Sequence, residues 1–290
     1  MKTKILRCVG RLPGLRRSVH LIRGLFGPKA CVVCQGSVRQ REGYGRPFVE
    51  CLNCGLIFAA DYLEKGRSAG MGMEGSWSGA GGGGYREYFL VKMLEKDLGF
   101  QSFLLFGTGN TATLGRLISE GVDVVGCDIS QDVVAYKRQQ HGNSRFHPAE
   151  EIPSHLRFDA IVAVEVFEHF AAPNESWRVL TRHLNDGGII CGTTNFYPGG
   201  PIEDSNDPGY MSLKGHVAYW SQKSLGYLAR TKGFKLEAFE MVRPGSVLPD
   251  EKFGQLWPNK RVFFLFPAGW YEEYFSSLRD KHAILPIDKP

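Results

Sequence analysis

Residues 103–128 read FLLFGTGNTATLGRLISEGVDVVGCD. FLLF (103–106) is an apolar run of the length of a buried strand, and it stops at a glycine. Gly107 and Gly109 let the backbone turn tightly against a ligand, residues 112–120 have helical spacing, and DVVGCD (123–128) is a second strand ending on an acid. Asp128 lies nineteen residues after Gly109. That is the logic of a strand–glycine loop–helix unit whose next strand presents a carboxylate to ribose hydroxyls. The unit predicts a doubly wound, mostly parallel α/β sheet with a nucleotide-type ligand at the carboxyl ends of its strands.

The same alternation continues downstream. A helix is expected from about Asp132, a short third strand near residues 145–147, and a long apolar fourth strand at FDAIVAVEV (158–166). A helix over about 174–184, a fifth strand at GGIICGTTN (187–195) and an amphipathic helix at SQKSLGYLARTKGF (221–234) follow, the last closed by a glycine. FKLEAFEMV (234–242) and RVFFLFP (261–267) bring the expected count to seven strands. Upstream, YREYFLVKMLEKDL (85–98) has helical spacing, so the main domain is expected over 85–270, with residues 271–290 as a C-terminal tail.

Before that domain, Gly66–Gly84 holds nine glycines, too dense for a helix or strand, and residues 59–84 read as a linker or a flap over the site. Earlier still stand Cys31-x2-Cys34 and Cys51-x2-Cys54, sixteen residues apart. Two such turns close a tetrahedral thiolate shell around structural Zn2+, which predicts a zinc ribbon over residues 31–58. Gly36 and Gly55 follow the pairs, where the chain must bend. A redox dithiol needs a single pair, and Cys8, Cys127 and Cys191 read as small apolar residues.

Hydrophobic residues at 43% and charged residues at 22% give the balance of a folded protein and exclude wholesale disorder. The net charge of +5 is uneven: residues 1–30 hold eight Lys or Arg and no acid, and the remaining 260 residues hold 27 basic against 30 acidic groups. The body is slightly acidic, which argues against a nucleic-acid binder along its whole length. The basic, amphipathic arm 1–30 suits a packed helix, contact with an anionic membrane surface, or RNA. Its arginines interrupt any secretory core, and its composition also fits an organellar transit segment. No run of eighteen apolar residues occurs, and the cysteine pattern is not that of a disulfide framework. A cytoplasmic protein is expected, with peripheral contact at the inner membrane face through the arm.

Together GTG (107–109), VVGCDIS (124–130), PAEEIP (148–153), FDAIVAVEVFEHF (158–170) and HVAYWSQKSLGYLARTKGF (216–234) resemble class I S-adenosylmethionine-dependent methyltransferases. The nearest group has an EVxEH signature after strand four and often an N-terminal zinc ribbon. The resemblance implies a Rossmann-like fold, S-adenosylmethionine as cofactor and a methyltransferase activity. It implies that Gly107, Thr108 and Gly109 lie against the cofactor, Asp128 binds both ribose hydroxyls and Ile129 packs on the adenine. It further implies that Ala149 and Glu150 meet the adenine edge, and that Glu165 and Val166 end strand four beside the sulfonium. The chain departs from the family pattern at Leu105, Thr111 and Pro148.

The acceptor side is expected at EVFEHF (165–170) and the loop NFYPGGPIEDSNDPGYMSLKGHVAYW (195–220), which collects Asn195, Tyr197, Glu203, Asp204, Asp207, Tyr210, His216, Tyr219 and Trp220. His169 and His216 are the candidate general bases, each of which would otherwise brace its own segment. Acidic and aromatic loop residues suit a sugar, a glycan or another polar small molecule. An rRNA substrate read by ribbon and arm is the alternative, and a non-catalytic cofactor-binding or scaffold homologue is the third reading.

Overall fold

The computed structural model describes residues 29–63, 83–202, 208–213, 215–241, 261–282 and 284–286. The arm up to residue 28, most of the glycine-rich linker, and Glu203, Asp204 and Asp207 lie outside the described residues.

Two sheets form. A small antiparallel sheet contains β1 (Val38–Gly43), β2 (Arg46–Cys51), β3 (Ile57–Ala59) and, at its edge, β9 (Ala218–Tyr219). The large sheet has the order β12 (Ile284–Pro286), β10 (Phe234–Met241), β11 (Arg261–Pro267), β8 (Leu184–Thr194), β7 (Phe158–Val164), β4 (Ser102–Phe106), β5 (Asp123–Asp128) and β6 (Phe146–Pro148). From β8 to β6 all neighbours are parallel, while β11 runs antiparallel between β8 and β10. All seven expected strands belong to this Rossmann-like sheet, with the short β12 added at the edge of β10.

Strand alternation divides the core. Leu104, Phe106, Ile161, Ala163 and Ile190 pack on one face with Trp177, Leu180, Leu225 and Leu228 from the helices Pro173–Thr181 and Gln222–Thr231. Phe103, Leu105, Ala160, Val162 and Ile189 face the other side, against the helices Gly83–Leu98 and Glu272–His282. With both faces covered, the central strands are apolar throughout. Their carboxyl ends, where ligands bind in such sheets, are Phe106, Asp128 and Val164.

Several boundaries differ from expectation. The helix Gly83–Leu98 takes in two residues of the expected linker. β3 runs on to Ala59 and a short helix, Ala60–Leu63, follows where the linker was expected. The stretch 271–290 is no free tail over its described part: Phe275 and Leu278 are buried against the sheet and β12 pairs with β10. Leu184, expected in a helix, pairs with Phe158 in β8, because the helix before it stops at Thr181.

Candidate functional site

The four paired cysteines converge. Sγ of Cys31 lies 3.6 Å from that of Cys54, Sγ of Cys34 lies 3.4 Å from that of Cys51, and all four sulfurs are within 4.8 Å of one another. These spacings are close to the edge of a thiolate tetrahedron around zinc, about 3.8 Å for bonds near 2.3 Å. Backbone N–H groups of Val33, Gly36 and Cys54 point at Cys31, Cys34 and Cys51. Cys31 and Cys54 share a proton, which lowers the Cys31 thiol and raises that of Cys54, and burial raises Cys51. The left-handed residue of the first knuckle is Gln35 (φ 59°), matching Gly55 (φ 75°) in the second. Gly36 serves close packing instead, since a Cβ there would meet Cβ of Asn53 at 2.9 Å.

At the carboxyl edge, Gly107 (φ 71°) must be glycine twice over, because a Cβ would also meet Val166 Cγ2 at 2.8 Å. The loop is tied to the next strand: Asp128 accepts from Gly109 N–H at 2.9 Å and from Ser130 N–H at 2.8 Å. Burial pushes the Asp128 carboxyl up, opposed by those N–H donors. Beside it Ile129 is 60% exposed, an apolar side chain presented at the strand edge. Ala149 is buried and its N–H bonds the Asp128 carbonyl at 2.9 Å, whereas the Glu150 side chain is exposed.

The glycine loop is braced by Glu87 and Lys137, residues that the sequence analysis did not single out. Glu87 is 2% exposed and accepts from Thr111 Oγ1 at 2.9 Å and Thr108 Oγ1 at 3.2 Å. Buried Lys137 donates to the Thr111 carbonyl. Burial pushes the Glu87 carboxyl up to about 7 against those bonds. Thr111 therefore has a task in this chain, and Leu105 is fully buried in the apolar layer beneath the loop. No local signal marks Glu87 and Lys137, because helical periodicity does not show which charge an adjoining element will bury.

On the turn after β7, Glu165 sits at φ 55°, a conformation non-glycine residues rarely adopt. Its Oε1 accepts from Thr193 Oγ1 at 2.7 Å and pairs with Arg86 at 2.8 Å. Glu168 is fully buried and accepts from Thr194 Oγ1 at 3.1 Å. His169 Nδ1 meets the Gly215 carbonyl at 2.8 Å and His216 Nδ1 the Tyr210 carbonyl at 2.9 Å, and the two rings lie 4.9 Å apart. Burial pulls the His169 imidazole below its ordinary value, opposed by the Gly215 carbonyl and the charges of Glu165 and Asp128.

The 195–220 loop is built into the protein over its described part. Tyr219 and Trp220 are fully buried: Tyr219 pairs with Ile57 of the ribbon, and Trp220 Nε1 donates to the Phe167 carbonyl at 2.8 Å. Tyr210 and His216 are buried in the same segment, their rings 4.3 Å apart.

A family model described as a methyltransferase domain matches residues 85–238. No curated protein sequence matches the chain. Among solved structures it is similar to a SAM-dependent methyltransferase of Thermotoga maritima (17% identity over 63% of this chain and 88% of that one, TM-score 0.43). It is also similar to DesVI of Streptomyces venezuelae (15%, 72% and 96%, TM-score 0.46) and a S-adenosylmethionine-dependent methyltransferase of Clostridium acetobutylicum (14%, 64% and 92%, TM-score 0.43).

Proposed function

Since the chain belongs to the methyltransferase-domain family and its activity is S-adenosylmethionine-dependent methyl transfer, we propose that the acceptor is a polar small molecule, sugar or glycan. It is held between the turn 165–170 and the loop 195–220. The observation that carries this reading is the bond from His169 Nδ1 to the Gly215 carbonyl. It ties the turn after β7 to the acceptor loop and puts the ring's lone pair on Nε2.

S-adenosylmethionine supplies the methyl group as an activated sulfonium. The residues at the carboxyl edge fit it. Asn110 Oδ1 is a buried acceptor with no partner among the described residues, and the Cβ side of Gly109 is open. Asp128 takes the ribose hydroxyls, exposed Ile129 covers the adenine, Ala149 and Glu150 border its edge, and Gly107, Thr108, Gly109, Glu165 and Val166 shape the methionine end. Thr108 acts there through its backbone, because its hydroxyl is turned to Glu87. The protein's main task is to hold the acceptor in line with the methyl group. His169, with His216 beside it, takes the proton of an acceptor hydroxyl.

Cys31, Cys34, Cys51 and Cys54 hold a structural zinc ion in this reading. The ribbon contributes its sheet to the acceptor loop through the β3–β9 pairing, which supports a structural role over RNA recognition. Among the described residues no helix is long and apolar enough to cross a membrane. Residues 1–30 remain candidates for contact with an anionic membrane surface.

The test is a methyl-transfer screen across sugar nucleotides, glycolipids and rRNA, repeated with His169→Gln and His216→Gln. Loss of a true base costs ~10²–10⁴ in turnover with cofactor affinity retained. Transfer to rRNA alone would overturn the acceptor class, and unchanged turnover in both variants would leave positioning as the whole mechanism.

A further inference from the structure

The glycine loop is gripped from both ends of one residue. Thr111 donates its hydroxyl to Glu87 at 2.9 Å, and its carbonyl accepts from buried Lys137. Thr108, on the other shoulder of the same turn, donates to the same carboxylate oxygen at 3.2 Å, and the two hydroxyls lie 3.0 Å apart. Thr113, which opens the helix Thr113–Ser119, bonds that carboxyl as well. Glu87 thus gathers three hydroxyls of residues 108–113 from a helix, Gly83–Leu98, whose buried face is mostly apolar. A buried carboxylate is costly even when hydrogen-bonded, and an apolar side chain of similar size generally serves a core as well or better. The acid at position 87 therefore serves the shape of the loop.

Between the two shoulders lies Asn110. Gly109 before it is fixed by its N–H bond to Asp128 at 2.9 Å, and Thr111 after it is fixed by Glu87 and Lys137. Asn110 Oδ1 is buried and has no partner among the described residues, a state that folded proteins avoid unless a ligand supplies the donor. S-adenosylmethionine brings such a donor, because its methionine end carries an α-ammonium with three N–H groups.

We propose that Asn110 Oδ1 receives the α-ammonium of S-adenosylmethionine, and that Glu87 is the positioning residue that holds Asn110 in place through Thr108 and Thr111. The inference rests on the reading of Gly107–Gly109 as the loop at the methionine end and deepens it. Thr111 is one of the positions where the chain departs from the family pattern, and the hydroxyl it adds is the atom that reaches Glu87. A hydrogen bond from a charged donor is stronger than one between neutral groups, so a fixed amide oxygen here discriminates for the amino-acid end of the cofactor.

Calorimetry with two ligands tests this: S-adenosylhomocysteine, and 5′-methylthioadenosine, which has the same nucleoside and thioether but no ammonium. Asn110→Ala and Thr111→Val should each weaken S-adenosylhomocysteine by at least about tenfold and leave 5′-methylthioadenosine within about threefold of wild type. Thr111→Ser, which keeps the hydroxyl, should bind both ligands as wild type does. Glu87→Leu should match Thr111→Val and is read only if its melting temperature is retained, because the side chain is buried. Unchanged S-adenosylhomocysteine affinity in Asn110→Ala or in Thr111→Val overturns the proposal. Equal weakening of both ligands overturns it too, since the network would then be a general brace. Wild type that binds neither ligand overturns the underlying reading of the loop.

Discussion

Arg46, on the second strand of the cysteine ribbon, donates to the hydroxyl of Tyr219 at 3.1 Å across 173 residues of sequence. The same guanidinium reaches the carbonyls of Leu213 at 2.6 Å and His216 at 3.3 Å, and pairs with Asp61 at 3.1 Å. Tyr219 in turn donates to the carbonyls of Met211 and His216, both at 3.0 Å. The ribbon therefore packs against the loop after β8: Phe48, Ile57 and Ala59 share one apolar cluster with Tyr197, Tyr210, Met211 and Tyr219.

Arg46→Ala removes a buried cation and leaves carbonyls of the acceptor loop without their donor. A loss of about 1–3 kcal/mol in unfolding free energy is expected, the cost of buried acceptors left without a donor. Acceptor KM should rise while S-adenosylhomocysteine affinity holds, because the cofactor loop is braced by other residues. Denaturant unfolding and calorimetry check this; a variant as stable as the parent would show that the guanidinium contributes nothing net.

Cys51→Ser should abolish a single zinc ion per chain and unfold the ribbon, since metal binding supplies the folding energy of so small a unit. Through the β3–β9 pairing the damage should pass to acceptor turnover. Metal analysis, with turnover measured beside cofactor affinity, tests this. A protein purified without added zinc that contains none would refute the metal assignment.

Asp128→Ala removes the proposed acceptor of two ribose hydroxyls together with the brace on Gly109 N–H. Cofactor affinity should fall by about a hundredfold, equivalent to ~2–3 kcal/mol. Isothermal calorimetry with S-adenosylhomocysteine measures it, and unchanged affinity would mean that the ribose lies elsewhere.

Glu87 predicts a pH dependence. Its carboxyl is pushed up to about 7 from an ordinary value of 4.5, chiefly by burial. Between those values the unfolded chain has lost the proton that the folded chain keeps. Stability from this group is thus fully present below about pH 4.5 and is lost as pH rises through about 7. The change is on the order of 3 kcal/mol. Glu87→Gln should flatten that limb, and urea unfolding across the interval reads it. An equal slope in both proteins would place the proton elsewhere.

How much was legible follows from where the information lies. The strand-to-helix alternation, the Gly107–Gly109 turn with Asp128 at the next strand end, and the two CxxC knuckles are each encoded within about thirty residues, where periodicity and turn geometry act locally. Those features sufficed for the Rossmann-like fold and, with the resemblance carried by the motifs between residues 107 and 234, for the methyltransferase family. The partners of those residues were not legible. Arg86, Glu87 and Lys137 look like solvated charges on amphipathic helices, and their burial exists only once the helices pack on the sheet. The union of ribbon and acceptor loop and the tautomers of His169 and His216 depend on backbone groups brought together from distant parts of the chain. A hydropathy pattern records which face of an element is apolar. The polar atom that meets a given side chain is set by the register of β3 on β9 and the path of the loop after β8, and those are decided by packing.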